Sequence, residues 1–103
     1  MTNSKPYYIT TAIPYVNARP HIGHALEFVL TDALARYHRL KGEDVWFLTG
    51  TDENGLKNVQ AAEREGISTP ALVNRNAAHF HALRDSLNLS FDDFIRSSFE
   101  LGP

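Results

Sequence analysis

The sequence predicts an α/β fold built on a parallel sheet, in the order strand, helix, strand, helix, helix and a further short strand. Three observations carry that reading. Two short stretches, Tyr7-Tyr8-Ile9-Thr10-Thr11-Ala12-Ile13 and Asp44-Val45-Trp46-Phe47-Leu48-Thr49-Gly50, are dense in aromatic and β-branched residues and are closed by turn-forming residues. Between them lies a long segment with apolar residues every three or four positions, the period of a helix. Two strands joined by a crossover helix pair in parallel through a right-handed connection.

In chain order, Met1 to Pro6 is polar and expected to fray. The stretch from Tyr7 reads as a buried strand closed by Pro14, and Pro14, Asn17 and Pro20 then punctuate a loop. Ile22, Leu26, Val29, Ala33, Tyr37 and Leu40 form the apolar stripe of an amphipathic helix. Arg36, Arg39 and Lys41 suit its last turns, where cations meet the negative end of the dipole, and Gly42 is the expected stop. The run from Asp44 is continuously apolar, as for a strand buried on both faces. Thr51-Asp52-Glu53-Asn54-Gly55 is a polar loop, and a second helix covers Leu56 to Glu65, stopped by Gly66. Ser68-Thr69-Pro70 supplies N-cap candidates and an early proline for a third helix, with the stripe Leu72 or Val73, Ala77, Phe80, Leu83 or Arg84, and Leu87. Phe91-Asp92-Asp93-Phe94-Ile95-Arg96 is expected to hold the last strand. No internal repeat, low-complexity run or clear linker interrupts this order.

At 103 residues the chain is one small domain or a piece of a larger one. Ten basic residues against twelve acidic give a net charge of −2, which argues against a whole-surface nucleic-acid binder. It leaves room for an enzyme that meets nucleic acid through another part. Without cysteine there is neither a disulfide framework nor a thiolate metal site, which fits a reducing compartment. The N-terminus has no apolar signal region and no run is long enough to cross a bilayer, so a cytoplasmic location without membrane contact is expected.

The chemistry gathers around Pro20-His21-Ile22-Gly23-His24, where extended chain gives way to the first helix. A helix N-terminus has unpartnered N–H groups and a favourable dipole for phosphate, and Gly23 removes a side chain where a ligand could approach. His21 and His24 are three apart and share a helix face. Imidazole N–H groups that hydrogen-bond developing negative charge suit phosphoryl or nucleotidyl transfer. The plain alternative is a helix start with two solvated histidines. Zinc is disfavoured, since the spacing is not four, no Glu follows the first His, and no third ligand is evident. His79 and His81 are two apart on a helix, so they face apart and do not share a metal. In open α/β sheets ligands bind beyond the carboxyl ends of the strands, where both polar loops lie. Asp52 and Glu53 are therefore either solvated turn acids or partners for a ligand ammonium group. Tyr15 packs on the sheet edge or walls a small apolar pocket. No Gly-x-Gly-x-x-Gly or Walker loop is present.

His21-Ile22-Gly23-His24 at a strand-to-helix turn resembles the HIGH signature of the class I aminoacyl-tRNA synthetases, a motif that several other nucleotidyltransferases share. Ala12-Ile13-Pro14-Tyr15-Val16-Asn17 and Thr49-Gly50-Thr51-Asp52-Glu53-Asn54-Gly55-Leu56-Lys57 are similar to the methionine-specific members. The resemblance continues through Asp32-Ala33-Leu34-Ala35-Arg36-Tyr37-His38-Arg39 and Asp92-Asp93-Phe94-Ile95-Arg96, and so covers nearly the whole chain. The leucine, isoleucine and valine enzymes share the HIGH element, but Gly50-Thr51-Asp52-Glu53 favours methionine. The resemblance implies the first half of a Rossmann-type sheet. It implies that His21, Gly23 and His24 bind ATP and stabilise charge as the methionine carboxylate attacks the α-phosphate, with Asn17 near the nucleotide. It further implies that the Ile13 carbonyl and Asp52 hold the methionine ammonium and that Tyr15 lines the thioether pocket. ATP enters as substrate with Mg2+. Asn54 stands where the family often has His. Arg19 stands where a small residue or proline is common, with a bearing on loop packing or nucleotide contacts.

In this family a connective insertion, the second half of the catalytic domain with its Lys-Met-Ser-Lys-Ser loop, and an anticodon-binding helical domain follow. No comparable lysine-rich loop occurs in these 103 residues. The expectation is therefore the N-terminal half of a catalytic domain over 1–103, inactive alone, in a methionine–tRNA ligase that meets tRNA(Met) through other parts. Any zinc would sit in the insertion. The half-sheet is expected to expose an edge or apolar face and to self-associate. The competing reading is a stand-alone, non-catalytic nucleotide- or partner-binding domain; a compact nucleotidyltransferase would need further basic phosphate ligands.

Overall fold

The computed structural model describes residues 4–97. Its elements are β1 (Pro6–Thr10), α1 (Ile22–Leu40), β2 (Asp44–Thr51), α2 (Leu56–Glu65), α3 (Thr69–Ser86) and β3 (Asp93–Arg96). The strands form a parallel sheet in the order β1-β2-β3, with Tyr8 beside Trp46 and Gly50 beside Ile95. The α/β order and the parallel sheet agree with the sequence reading. The fraying expected of residues 1–3 lies outside the described residues, while Pro6 opens β1.

The helix boundaries follow local chemistry. Ser68 caps α3 by accepting the Ala71 N–H, and Pro70 sits in its first turn, where a missing N–H costs nothing. Gly66 ends α2 in the left-handed conformation at φ 72°. The main core lies between one face of the sheet and helices α1 and α3. Phe28 and Ala35 of α1, Phe47 of β2, and Val73, Ala77 and Phe80 of α3 meet there with Val16, Leu89 and Phe91. Ala61, Ala62 and Leu72 fasten α2 to α3.

Three expectations about burial are corrected. β1 is not a buried strand: it edges the described sheet, alternates exposed and half-buried residues, and leaves Tyr8 75% exposed. β2 is buried on both faces only at its carboxyl end, where Thr49, Gly50 and Thr51 are buried in succession. Partners in a parallel pair project to the same side, so Trp46, 46% exposed, shares with Tyr8 the face opposite Phe47 and the helices. At that amino end the described residues cover the sheet on one side only.

The third correction is the stripe of α1. Ile22, Leu26, Val29, Ala33, Tyr37 and Leu40 are all exposed, Ile22 and Leu40 each at 87%. The buried side is instead Phe28, Thr31, Asp32 and Ala35. Polar residues reach the interior because they are partnered. Asp32 accepts the Ser90 N–H at 2.7 Å and pairs with Arg36 at 2.7 Å, while Arg36 also donates to the Asn88 carbonyl at 2.6 Å. Periodicity located the helix and its seams, and hydrogen bonds to the 88–90 turn decided which seam faces inward.

Candidate functional site

Beyond the carboxyl ends of β1 and β2 the two polar loops run side by side. Asp52 donates its N–H to the Pro14 carbonyl at 2.8 Å, and Tyr15 and Asp52 form an isolated parallel bridge. The loop after β1 is anchored from below. Val16 is fully buried in the core, and the buried Asn76 amide of α3 donates to the Val16 carbonyl at 2.7 Å. Glu27 of α1 accepts the Ala12 N–H at 2.7 Å, and the Thr11 and Thr49 hydroxyls meet at 2.6 Å. These ties fix Tyr15 and Asn17, on either side of Val16, against the start of α1.

The two histidines build that start. Gly23 N–H donates to His21 Nδ1 at 3.0 Å, and His21 N–H donates to His24 Nδ1 at 3.2 Å, a reciprocal cap that satisfies two otherwise orphaned donors. A ring nitrogen that accepts carries no proton, so each neutral imidazole holds its proton on Nε2 and presents it as a donor. The rings lie 3.9 Å apart between centroids, and the His24 ring meets Phe80 edge-on at 5.0 Å. Burial, then the neighbouring His21, holds His24 below the ordinary histidine pKa against the opposing pull of Glu27, so it stays neutral at pH 7.

Gly23 is explained by the same cap. A Cβ there would lie 2.8 Å from His21 Cε1, so the missing side chain makes room for the His21 ring, and the Gly23 N–H is already engaged. The space a side chain would take at this glycine is therefore filled by the His21 ring.

His21 and His24 line a 260 Å³ cavity with Pro14, Tyr15, Asn17, Ala18, Arg19 and Lys57. Of the residues singled out in the sequence, Tyr15, Asn17, His21 and His24 meet around this cavity. Ile13, Gly23 and Asp52 stand beside it without lining it. Asp52 remains tied to it through the Pro14–Tyr15 strand; one carboxylate oxygen accepts the Asn54 N–H at 3.1 Å. Tyr15 packs against Gly55, whose Cβ would lie 3.0 Å from the ring and whose φ is 115°. A larger hollow of 660 Å³ continues from Asn17, Ala18, Arg19 and His21 to Glu65 and Arg75. Hollows of 440 and 410 Å³ lie farther off, between α3 and β3, away from both loops.

Asp52 and Glu53 part company. The Glu53 side chain is buried, accepts the Thr51 hydroxyl at 3.1 Å and pairs with Arg96 of β3, so it braces the loop and is not a solvated acid or an open ligand group. Sequence reasoning missed Asn76 and gave Lys57 no role in this region, whereas Arg19 was noted for loop packing or nucleotide contacts and does line the cavity. Asn76 lies on the inward seam of α3 beside Ala77, and a polar residue there was the available signal. Lys57 closed a stretch already noticed for its resemblance.

Among the described residues no three His, Cys, Asp or Glu side chains gather as a metal-binding group, and no helix is long and apolar enough to cross a membrane.

Comparison with known proteins places this corner in context. The family model described as "tRNA synthetases class I (M)" matches residues 7–101. The methionine–tRNA ligase of Mycobacterium bovis is 58% identical over 94 residues, covering 91% of this chain and 18% of that protein. The enzyme of Brucella suis is 56% identical over the same shares. The structure of Mycobacterium tuberculosis methionyl-tRNA synthetase in complex with methionyl-adenylate superposes with a TM-score of 0.89 at 57% identity, again over 91% of this chain and 18% of that one. The chain thus spans about a fifth of the length of the relatives it matches. With the family model running from β1 past β3, the histidine-capped helix, the two paired loops and the parallel sheet belong to one known architecture: this chain is a member of the class I tRNA synthetases of the methionine type.

Proposed function

We propose that these residues form the N-terminal half of the catalytic domain of a methionine–tRNA ligase, carrying one wall of its methionine and ATP site. In the full reaction a methionine carboxylate oxygen attacks the α-phosphorus of ATP, supplied as its magnesium complex. The bond from that phosphorus to the bridging oxygen breaks, pyrophosphate leaves with the electron pair, and methionyl-adenylate remains for transfer to tRNA(Met). The observation that carries the reading is the reciprocal histidine cap: both Nδ1 atoms are engaged by backbone N–H groups, which leaves Nε2 of each ring for a ligand, and both residues line one cavity.

On this reading His21 and His24 donate to phosphate oxygens and stabilise the charge that grows on them. Gly23 supports the His21 ring, and Asn17 contacts the nucleotide. Asp52 and the Ile13 carbonyl hold the methionine ammonium, which orients the carboxylate toward phosphorus, and Tyr15 walls the thioether pocket. Positioning and electrostatics do the work, with no covalent enzyme intermediate. The connective insertion with any zinc, the second lysine-bearing half and the tRNA-contacting domains belong to the remaining length of such an enzyme, in the cytoplasm.

The test is methionine-dependent ATP–pyrophosphate exchange, with ligand binding measured alongside. The isolated 103-residue chain is expected to bind methionine weakly and to give no exchange above background. Asp52→Asn is expected to weaken methionine binding by about 1.5–3 kcal/mol, the usual worth of a hydrogen bond to a charged group. Exchange near full-length rates by the isolated chain would sink the half-site reading, and unchanged methionine affinity in Asp52→Asn would remove Asp52 from it.

A further inference from the structure

We propose that Arg19 and Lys57 form a two-cation subsite for the terminal phosphates of the nucleotide, gripping the pyrophosphate as it leaves. The proposal rests on the nucleotide-site reading above and extends it to residues which that reading leaves without a role.

Five of the ten Lys and Arg side chains pair with a carboxylate among the described residues. Arg36 pairs with Asp32, Arg39 with Asp92, Lys41 with Glu43, Arg75 with Glu65, and Arg96 with Glu53. Arg19 and Lys57 have no carboxylate within ion-pair distance among the described residues. They come from different elements, the loop after β1 and the first turn of α2, yet line the same 260 Å³ cavity as the Nε2–H donors of His21 and His24. Lys57 stands in the first turn of α2, where the helix dipole opposes a cation, and that turn has no acidic residue and no side-chain cap to offset it. A residue set against its local preference with no compensation inside the fold marks a site whose compensation comes from a ligand.

The chemistry of the transfer fits. As the α-phosphorus–bridging oxygen bond breaks, its electrons stay on the leaving pyrophosphate, so negative charge builds on the terminal phosphates rather than on the adenylate. A guanidinium and an ammonium aimed at that group favour the broken bond over the intact one, which accelerates the step instead of merely binding the substrate. Arg19 also borders the 660 Å³ hollow that continues past His21, so the subsite opens onto space for the rest of the nucleotide.

Calorimetric titration of the chain with inorganic pyrophosphate tests this, with adenosine and methionine titrated in parallel and circular dichroism confirming the fold. Lys57→Gln and Arg19→Gln are each expected to weaken pyrophosphate binding about tenfold, as loss of a charge-assisted contact does. They should leave adenosine and methionine unaffected. Arg64→Gln, the same charge change on the exposed end of α2, should change nothing. Equal pyrophosphate affinity in wild type and both variants overturns the subsite, as does an equal loss in Arg64→Gln. Binding of adenosine or methionine without any pyrophosphate binding refutes the subsite and spares the site. Absence of all three refutes both.

Discussion

At the scale of residues, His21 and His24 build the start of α1 with one ring nitrogen each. Each Nδ1 closes the helix N-terminus, and that commitment leaves Nε2–H as the donor. His21→Ala should therefore cost about 1 kcal/mol of stability, the usual worth of an N-cap, read by urea denaturation. His24 adds a pH dependence. Its pKa in the fold is held below the unfolded value by burial and by His21, so the unfolded chain takes up the proton first. Stability is complete above the unfolded value of roughly 6.5 and is lost as pH falls through and below it. The melting temperature should drop on acidification from neutral pH, and the drop should be shallower in His24→Gln. Asn76 is a third such residue, buried under the loop with its amide on the Val16 carbonyl. Asn76→Leu leaves that carbonyl unpaired and should cost about 1–3 kcal/mol, again read by urea denaturation.

At the scale of elements, β2 and β3 approach so closely at Gly50 that an added Cβ would collide with the Ile95 backbone carbonyl. The obstacle is main chain, which cannot rotate away. Gly50→Ala should then destabilise the fold by about 1–3 kcal/mol, measurable as a lower urea midpoint with unchanged slope. Because β3 carries Arg96, and Arg96 holds Glu53 beside Asp52, the same substitution should also loosen the 51–55 loop. α1 is held to the body through Asp32. Burial pushes that carboxyl up, but hydrogen bonds from Ser90 and from Arg36 outweigh it and hold the pKa below the ordinary aspartate range. Its contribution is present above the unfolded value and is lost as pH falls through the folded one, so α1 should be the helix that loosens first in strong acid.

At the scale of the whole molecule, two apolar surfaces are left uncovered by the described residues: the Tyr8–Trp46 face of the sheet and the outer stripe of α1 from Ile22 to Leu40. Surfaces of this kind drive association. The isolated chain is expected to self-associate with rising concentration in sedimentation velocity, and Leu26→Glu with Leu30→Glu should shift it toward monomer. A clean monomer at high concentration would contradict this.

The order of elements, the helix ends and the meeting of the two loops were legible from local chemistry. Capping serines, positive-φ glycines and short β-branched runs act over a few residues, and the parallel connection follows from chain geometry. The histidine corner was equally legible, because a proline-led loop entering a helix is a local event. Which side of each element faces inward was not. The apolar stripe of α1 points away because Asp32 and Arg36 find partners in a turn more than fifty positions later in the chain, a match that no periodicity encodes. For the same reason Glu53 became a buried brace while its neighbour Asp52 stayed half-buried beside Pro14 and Tyr15. Local sequence sets what the backbone does over a few residues and which chemical groups are on offer, because capping and turn preferences act at short range. Which of those groups are satisfied is set by partners far away in the chain, because only packing brings them within hydrogen-bond reach.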